Sequence, residues 1–397
     1  MNKPTKVALA CVIALGSNSA FAAAHMLSDL GANNASTAGA GSAALAETAL
    51  TAWTNPAGMA NLNEEAMTFN IAALGLDIQY KDTGSTGAFA NGTDGDNAGS
   101  VMPVGSFYYA KPLNEKWHMG FSVASQGGSG LDYGSDFRGA PLVQSVDLVT
   151  VQVAPSVSYK VDDKLSFGAM INIEKASINQ KMMGGVEIEA DDVTVGYTLS
   201  SMYRFDENDR IGVVYRSEID HSNEGELTNA GMQAEASVGL IMPRSLTISG
   251  YHKRDASAFL YSLGWADFSS MKSSPMAVDV HSAELKRDYK DTWTAAVGFH
   301  HELSKTLRLE SGVSYESNPI QSDDTQHPDL PTSELWKLGF GANHQLSDKW
   351  EAKYYYEFLK WGDASIDREY VEGSGNTLKG DYENKGHYVG VQFTRRF

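Results

Sequence analysis

The residues that come closest to a catalytic set are Asp220–Asn223, which read Asp-His-Ser-Asn. Lipases of the outer membrane combine His, Ser and Asn, because a histidine base activates the serine hydroxyl as a nucleophile. Successive side chains on a strand point to opposite faces, so His221 and Ser222 would diverge here. The sequence also contains no Gly-x-Ser-x-Gly turn, no phosphate-binding loop and no His-Glu-x-x-His motif. We therefore expect a solvated loop at this position and no enzymatic activity.

Carboxylates form the second group of candidate ligands, and they are dense between the apolar segments. Examples are Asp94, Asp96, Asp191, Asp192, Asp323 and Asp324. Divalent ions at an outer leaflet are possible partners for such residues, but the spacing does not match the EF-hand calcium loop. Solvated surface is the simpler interpretation. We expect no metal site and no cofactor.

Residues 1–22 have the pattern of a secretory signal peptide. Two lysines form a short positive region, Val7–Leu15 is apolar, and Ala20–Ala22 is a small-x-small cleavage site. The apolar run is too short for a transmembrane helix. Cys11 is the one cysteine of the sequence, so cleavage would remove it. A lipoprotein signal at Cys11 is the alternative, but it would leave little of the positive and apolar regions. The sequence predicts an exported chain.

Charge and composition narrow the class of protein further. The formal net charge of −18 argues against nucleic acid as a partner, because such proteins need a basic surface. The 18 Tyr, 15 Phe and 7 Trp residues would suit aromatic girdles at two membrane interfaces. A mean hydropathy of −0.30 leaves a soluble periplasmic protein or a β-barrel whose alternation hides its membrane face.

Period-two alternation dominates the sequence from residue 66 onward. In 350–361, one face would carry Trp350, Ala352, Tyr354, Tyr356 and Phe358. The opposite face would carry Glu351, Lys353, Tyr355 and Glu357. In a barrel, the apolar set faces lipid and the mixed set faces the lumen.

The alternating segments are separated by connections whose lengths also alternate. Strands are predicted at 66–80, 104–112, 116–125, 146–160, 164–182, 193–205, 210–219, 243–253, 257–267, 290–301, 306–317, 333–345, 349–362 and 385–397. Long loops are predicted at 81–103, 126–145, 183–192, 220–242, 268–289, 318–332 and 363–384, with tight polar turns between the others. Short periplasmic turns and long outer loops are typical of bacterial outer-membrane barrels, which have an even strand number. The sequence predicts an all-β fold, a transmembrane antiparallel β-barrel of about 14 strands over residues 66–397, in the outer membrane of a Gram-negative cell.

The two ends of the mature chain differ from the rest. Residues 23–65 are rich in Ala, Gly, Ser, Thr and Asn, and small residues suit packing in a confined space. We interpret them as an N-terminal hatch that plugs the lumen, with an unattached arm as the alternative. Gly386–Phe397 alternates and ends in Phe397, a pattern that the outer-membrane assembly machinery recognises.

Several motifs in order along the chain resemble one family. They are Asn55–Met59, Val214–Glu218, Pro243–Tyr251, Tyr261–Trp265, Tyr289–Trp293, Gly312–Pro319 and Leu335–Gly339. With these, the chain resembles the long-chain fatty-acid transporter family of outer-membrane proteins (FadL/TodX-like, OMPP1) over essentially the whole mature length. The resemblance implies a fourteen-stranded barrel with a hatch, and passive uptake of hydrophobic molecules that leave sideways through the barrel wall.

The resemblance also implies a gate. In the family an inward kink of the third strand opens the wall, and its counterpart here is Ser125-Gln126-Gly127-Gly128. Glycine there weakens strand pairing and allows a bulge. An ordinary strand end entering a loop is the alternative. Asn55, which precedes Pro56, matches the hatch asparagine that contacts the kink in the family.

Ligand contacts follow from the resemblance by position. The mature N-terminus reaches the ligand pocket in the family, which implies contacts by His25, Met26 and Leu27. Basic residues that hold a carboxylate headgroup fall near Lys181 and Lys286, each offset by about one position. A slip of one residue reverses the face of a strand, so either lysine could instead be a loop cation.

These features together predict an outer-membrane transporter for long-chain fatty acids, which diffuse laterally through the wall. Uptake of aromatic or alkane hydrocarbons on the same fold is the first alternative, since loop 183–192 is shorter than in fatty-acid members. A non-specific porin and a structural surface protein or adhesin are the others. We expect a monomer in contact with lipopolysaccharide and other outer-membrane lipids.

Overall fold

The computed structural model describes residues 34–279 and 281–397, and strands make up most of this part of the chain. Its strands are β1 (Ala66–Asp82), β2 (Val101–Pro112), β3 (Trp117–Ala124), β4 (Gly128–Asp132), β5 (Ser145–Lys160), β6 (Leu165–Met182), β7 (Val186–Arg204), β8 (Asp209–Arg216), β9 (Ile219–Asn229), β10 (Met232–Met242), β11 (Ser245–Arg254), β12 (Ser257–Ala266), β13 (Ser273–Val278), β14 (His281–Lys286), β15 (Thr292–Glu302), β16 (Leu307–Glu316), β17 (Leu335–Ser347), β18 (Trp350–Trp361), β19 (Ala364–Glu369) and β20 (Thr377–Arg396).

The helical elements in the described ranges are single turns. One α-helical turn spans Thr51–Thr54, and 3-10 turns span Ala35–Thr37, Pro56–Asn61, Gly87–Phe89, Phe268–Ser270 and Asp323–Thr325. Asn55 caps the second of these 3-10 turns, because its side chain accepts a hydrogen bond from Ala57 N. No helix of the described residues is both long and apolar enough to cross a bilayer.

Fourteen of the described strands close into one antiparallel ring. Its order is β1, β2, β3, β5, β6, β7, β8, β11, β12, β15, β16, β17, β18 and β20. The long pairing of Ala66–Asp82 with β20 closes the ring. The predicted fold class, a fourteen-stranded antiparallel barrel, is confirmed.

The remaining strands extend the wall at the end that carries the long connections. There β4 pairs with β5, β9 with β7 and β10, β13 with β10 and β14, and β19 with β20. Five predicted loops are therefore wrong in conformation. Loop 183–192 is a tight turn, 220–242, 268–289 and 363–384 contain hairpins, and 126–145 contains β4. The turn uses Gly184 and Gly185 at positive φ, a conformation that glycine adopts without strain.

On the ring, apolar side chains are exposed on the outside and polar side chains are buried inside, which is the reverse of the arrangement in a soluble protein. On β5, Val149, Val151 and Val153 face outward and are exposed, whereas Thr150 and Gln152 face inward and are buried. The same outward apolar set recurs on β6, β7 and β15. Only a surrounding hydrocarbon phase makes this favourable, because water outside would oppose the exposure of so many apolar side chains. The barrel therefore spans a membrane.

Residues 34–62, the N-terminal segment, contact inward-facing side chains on different sides of the ring. Gly41 N donates to Ser262 Oγ on β12 at 2.9 Å. Ser158 Oγ on β5 donates to the carbonyl of Ala57 at 3.2 Å. Ser36 contacts Glu310 on β16. The plugging function predicted for residues 23–65 stays a prediction.

Glycines on the ring allow this close approach. A Cβ on Gly212 would collide with the Ala43 carbonyl oxygen, and one on Gly312 with the Thr37 carbonyl oxygen. The segment and the wall therefore touch backbone to backbone. Larger residues at these positions would require the segment to move.

We expect Gly212→Ala to lower the free energy of unfolding by about 1–3 kcal/mol, because the added methyl overlaps Ala43. Gly105→Ala is the matched control, since a Cβ there meets no atom within 4 Å. Guanidinium unfolding of the protein in lipid, followed by circular dichroism, measures both. Equal effects at the two positions would contradict contact between Gly212 and the segment.

Candidate functional site

The barrel wall is interrupted between β2 and the strand beside it. The two backbone pairs that bound the interruption are Phe107–Val123 and Gly99–Leu131. Between them, 100–106 and 124–130 form no backbone pairs with each other in the described structure, and Ser100 Oγ donates to the Gly130 carbonyl at 2.8 Å at the upper end. We call these two stretches the wall gap. An open strand edge at membrane depth is costly unless other groups satisfy its backbone.

A bulge produces the interruption. Below it Ala124 on β3 pairs with Gln152, and above it Gly128 on β4 pairs with Val149. Three residues of the kinked strand, 125–127, thus stand opposite two residues of β5. The extra residue makes a β-bulge, which bends the strand. The kink predicted at Ser125, Gly127 and Gly128 is present in the structure, while its gating role stays a prediction.

Side chains replace the missing ladder at the kink. Thr150 Oγ1 donates to the Gly127 carbonyl at 2.7 Å and lies 3.3 Å from Gly127 N, which donates to it. Ser125 Oγ donates to the same carbonyl at 2.7 Å. These bonds satisfy the backbone where the strand leaves its neighbour.

The residues on β2 at the wall gap are apolar on both faces. Val101 and Pro103 face outward and are exposed. Met102 and Val104 face inward and pack against the buried apolar cluster of the interior. Pro103 has no backbone N–H, so it suits a strand edge without a neighbour. The gap is therefore lined on its β2 side by side chains that a hydrophobic solute can contact.

A row of polar side chains crosses the inner face of the wall toward the kink. Gln152 Nε2 donates to Gln126 Oε1 at 2.8 Å and to Glu174 Oε2 at 2.7 Å. Asn172 Nδ2 donates to Gln152 Oε1 at 2.9 Å, and Thr198 Oγ1 donates to Asn172 Oδ1 at 3.0 Å. We call Gln126, Gln152, Glu174, Asn172 and Thr198 the polar row. It fixes the inward side of the kink through Gln126.

His221 belongs to this hydrogen-bond network and does not form a hydrolytic site. Its Nε2 lies 3.0 Å from Glu174 Oε1, and its Nδ1 lies 3.0 Å from Asp192 Oδ2. Asn223 donates instead to the carbonyl of Val238. Two carboxylates thus occupy both ring nitrogens, which leaves neither free to activate Ser222.

An ion cluster holds the N-terminal segment to the opposite wall. Glu47 lies 2.9 Å from Arg308 Nη2 and 3.6 Å from Arg210 Nη2. Arg308 also contacts Glu310 at 2.8 Å, and Lys353 Nζ lies 3.1 Å from Glu310. Burial by itself would raise the pKa of Glu47, but the two guanidiniums outweigh it and lower the pKa to about 2.

The predicted headgroup lysines are exposed and ion-paired. Lys181 faces outward on β6, 3.4 Å from Glu187, and lines an open cleft of about 650 Å³ together with Asp132 and Asp147. Lys286 lies 2.7 Å from Asp288 on the extended hairpin. The structure does not bring the two lysines together. Their role in binding a headgroup stays a prediction.

Of the residues predicted in the hatch and at the mature N-terminus, Asn55 and Pro56 lie in the part of the chain that the structure describes. Asn55 Nδ2 donates to the Ala43 carbonyl at 2.6 Å and to the Ser201 carbonyl at 3.2 Å, and not to the kink. Pro56 begins the turn that follows. The helical turn Thr51–Thr54 packs against β2, β3 and β5 instead. His25, Met26 and Leu27 lie outside the described residues.

Extracellular loops are tied together by a second buried ion pair. Arg287 Nη2 lies 2.6 Å from Asp329 Oδ2, with both side chains fully buried. Burial alone would lower the pKa of Arg287, but Asp329 outweighs it and raises the pKa. Tyr133 OH donates to the Pro328 carbonyl at 2.7 Å. The connection 317–334 is thereby fixed across the mouth of the barrel.

Sequence patterns gave little sign of the residues that hold the kink. Thr150 and Gln152 belong to the inward face of a strand that was predicted correctly, but alternation does not say which inward residues bond. Gln126 lies inside the predicted motif without a role of its own. The signal that could have found them is their polarity at mid-strand, beside a glycine pair.

The closed ring of fourteen strands and its outward apolar side chains define a class, the outer-membrane β-barrels. A family model described as "Outer membrane protein transport protein (OMPP1/FadL/TodX)" matches residues 13–397. The chain therefore belongs to this family of outer-membrane transporters for hydrophobic molecules, whose members are channels and not enzymes. The predicted family and the predicted outer-membrane location are confirmed.

Relatives and solved structures agree with this assignment. "Long-chain fatty acid transport protein" of Escherichia coli (strain K12) is 20% identical, with 99% of this chain and 98% of that protein covered. "47 kDa outer membrane protein" of Pasteurella multocida is 24% identical over 87% and 89%. A Pseudomonas aeruginosa FadL homologue superposes with a TM-score of 0.87 at 19% identity, over 94% of this chain and 100% of that one. The Ralstonia pickettii toluene transporter TbuX gives 0.68 at 16%, over 92% and 100%.

Thr150→Val should loosen the kink, because it leaves Gly127 N without its hydroxyl acceptor and leaves the Gly127 carbonyl with Ser125 Oγ as its one remaining hydroxyl donor. We expect a loss of about 1–3 kcal/mol in unfolding free energy and faster amide exchange at Gly127. Thr150→Ser keeps the hydroxyl and serves as the control. Unchanged exchange at Gly127 in the valine variant would show that other groups hold the kink.

Glu47→Gln should weaken the attachment of the N-terminal segment at neutral pH by about 1–2 kcal/mol. A carboxyl with a lowered pKa stabilises the folded state above its unfolded pKa and loses this effect as pH falls through its folded pKa. The difference between wild type and variant should therefore shrink between about pH 4.5 and about pH 2. Denaturant titrations across this range measure it. A difference between wild type and variant that stays constant across this range would contradict the role of Glu47 in the ion cluster.

Proposed function

We propose that this protein takes up long-chain fatty acids passively, and that they leave the barrel through the wall gap into the outer membrane. The observation that carries the proposal is the break in strand pairing between 100–106 and 124–130. A second stretch without ladder pairs, between 192–197 on β7 and 217–223, is bridged by hydrogen bonds between Tyr197 and Ser217. The β2 side of the wall gap is apolar both inside and outside.

Hydrocarbon chemistry explains why a side exit suits such a solute. An apolar chain gains free energy wherever its surface leaves water, at about 25 cal/mol per Å². A route down an aqueous pore would expose the chain again, whereas a route through the wall passes it from an apolar interior to lipid. Met102 and Val104 on the inside and Val101 on the outside provide that continuity.

Fatty acids are favoured over hydrocarbons by the names of relatives. Curated relatives that cover 99% of this chain are called long-chain fatty acid transport proteins. Two observations favour the hydrocarbon alternative. The turn Met183–Gly185 is short, and solved toluene transporters share the fold. At a sequence identity near 20% to these relatives, both fatty acids and hydrocarbons are consistent with membership of the family.

Contacts of the N-terminal segment support its role as a hatch. Ser36 and Glu47 contact Glu310 and Arg308 on β16, whereas Ala57 accepts a hydrogen bond from Ser166 on β6, six strands away around the ring. A segment held in this way obstructs straight passage of water and ions, which argues against the porin alternative. It also leaves the lateral route as the path for a hydrophobic solute.

The test is to close the wall gap. Gly105→Cys with Ser125→Cys places one thiol on each border, and a short bis-maleimide joins them. The mature chain predicted from the sequence has no cysteine, so labelling is specific. Uptake of radiolabelled oleate is measured in an outer-membrane host that lacks its own fatty-acid transporter. We expect cross-linking to reduce uptake at least about tenfold, because the exit is blocked.

The matched control is Phe107→Cys with Val123→Cys, a pair that is already in the ladder. Cross-linking there should leave uptake unchanged. Loss in both pairs, or in neither, would contradict release through the gap. Uptake of toluene without uptake of oleate would move the proposal to hydrocarbons. Ion conductance in planar bilayers without uptake of either would support a porin.

A further inference from the structure

Two arginines of the described residues, Arg216 on β8 of the ring and Arg368 on β19 above it, have a buried Nη1 without a hydrogen-bond partner and no carboxylate at ion-pair distance. Arg210, Arg308 and Arg287 each lie within ion-pair distance of a carboxylate. Arg216, at the end of β8, has no carboxylate within that distance among the described residues. Its Nη1 is buried from solvent and has no hydrogen-bond partner in the same part of the chain. A buried guanidinium group with an unused donor is unfavourable unless an acceptor arrives.

The rest of the guanidinium is held in place. Arg216 Nη2 donates to the Trp53 carbonyl at 2.8 Å, and its Cζ lies 4.9 Å from the centre of the Trp53 ring. Stacking and one hydrogen bond fix the orientation of the planar group. The free donor, Nη1 of Arg216, therefore points in a fixed direction, although the aliphatic part of an arginine side chain is flexible.

The surroundings of Arg216 connect it to the wall gap. Arg216 pairs in the sheet with Thr198, which begins the polar row. The row continues through Gln152 to Gln126 at the kink. A polar group bound at Arg216 thus lies at one end of a hydrogen-bonded row whose other end borders the exit.

Apolar side chains lie on the extracellular side of this row. On β5, Leu148 follows Gln152 toward the outer end, and on β6, Ile178 follows Glu174 in the same direction. Both belong to the buried apolar cluster that also contains Ile219. The interior is therefore amphipathic along the barrel axis, with a cation below and hydrocarbon above.

We propose that Arg216 binds the anionic headgroup of the transported acid inside the barrel, with the chain directed toward the extracellular apolar cluster. This rests on the proposed function and names a headgroup residue for it, in place of the exposed Lys181 and Lys286. A carboxylate would accept the free Nη1 donor and neutralise the buried charge. A neutral hydrocarbon would do neither, so the site selects acids.

Arg216 also holds the Trp53 carbonyl, so the test must separate binding from support of the N-terminal segment. Arg204 offers the comparison, because its Nη1 donates to Asn61 Oδ1 of the same segment at 3.0 Å. The variants are Arg216→Met, Arg216→Lys and Arg204→Met in the full mature protein. Oleate and oleyl alcohol are the two probes, which share a chain and differ in charge. Binding is measured by isothermal titration in detergent.

We expect Arg216→Met to weaken oleate binding about tenfold to a hundredfold and to change oleyl alcohol binding less than about threefold. Arg216→Lys should recover part of the loss, and Arg204→Met should affect neither probe. If Arg216→Met weakened the binding of oleate and of oleyl alcohol equally, Arg216 would only hold Trp53 in place, and the inference would be overturned. A selective loss of oleate in Lys181→Ala or Lys286→Ala, with Arg216→Met unchanged, would overturn it too. Wild-type protein that binds neither probe would instead overturn the proposed function.

Discussion

Every backbone N–H and C=O group at membrane depth needs a partner, and this constraint governs the whole structure. Closure of fourteen strands satisfies it for most of the wall, and β1 with β20 completes the ring. At the wall gap the ladder fails, so other groups must act there. Thr150 and Ser125 donate hydrogen bonds to the Gly127 carbonyl, and Gln126 is bound from inside by the polar row. The wall gap is thus a stabilised local structure within the ring.

The interior combines two different kinds of anchoring. Charged groups, led by Glu47 and Arg308, fix the N-terminal segment on one side of the lumen, whereas amide and hydroxyl side chains bond next to the kink, with Glu174 among them. Ion pairs in a partly buried site are strong when several share carboxylates, as Glu310 does with Arg308 and Lys353. Neutral amides exchange partners at lower cost. A segment held firmly beside a wall with exchangeable bonds fits a route that leads through the wall.

Alternation of side chains predicted most of the barrel, because lipid outside and lumen inside impose period two on every spanning strand. The predicted segment 164–182 and the observed β6 agree to within one residue. Hairpins above the membrane were missed, since Asp220–Asn223 and similar stretches are polar on both faces and resemble loops. The kink was placed by family resemblance and glycine content. Its partners were not, because the bulge exchanges the inward and outward faces: Val123 is on the outward face below it, while Leu131, eight positions later, is buried above it. Arg216 was noticed only as part of a motif, since burial without a partner is a property of three-dimensional packing.

The tight turn after Met182 has a consequence for where a solute meets the protein. β6 and β7 contain 18 and 19 residues, roughly 60 Å of strand at about 3.3 Å per residue. A tilted strand needs only about 9–11 residues to cross the hydrocarbon. Nearly half of this hairpin therefore extends beyond the hydrocarbon core of the bilayer, on the side of the long connections. A solute that enters the barrel from this end would meet the protein well before it reaches the lipid surface.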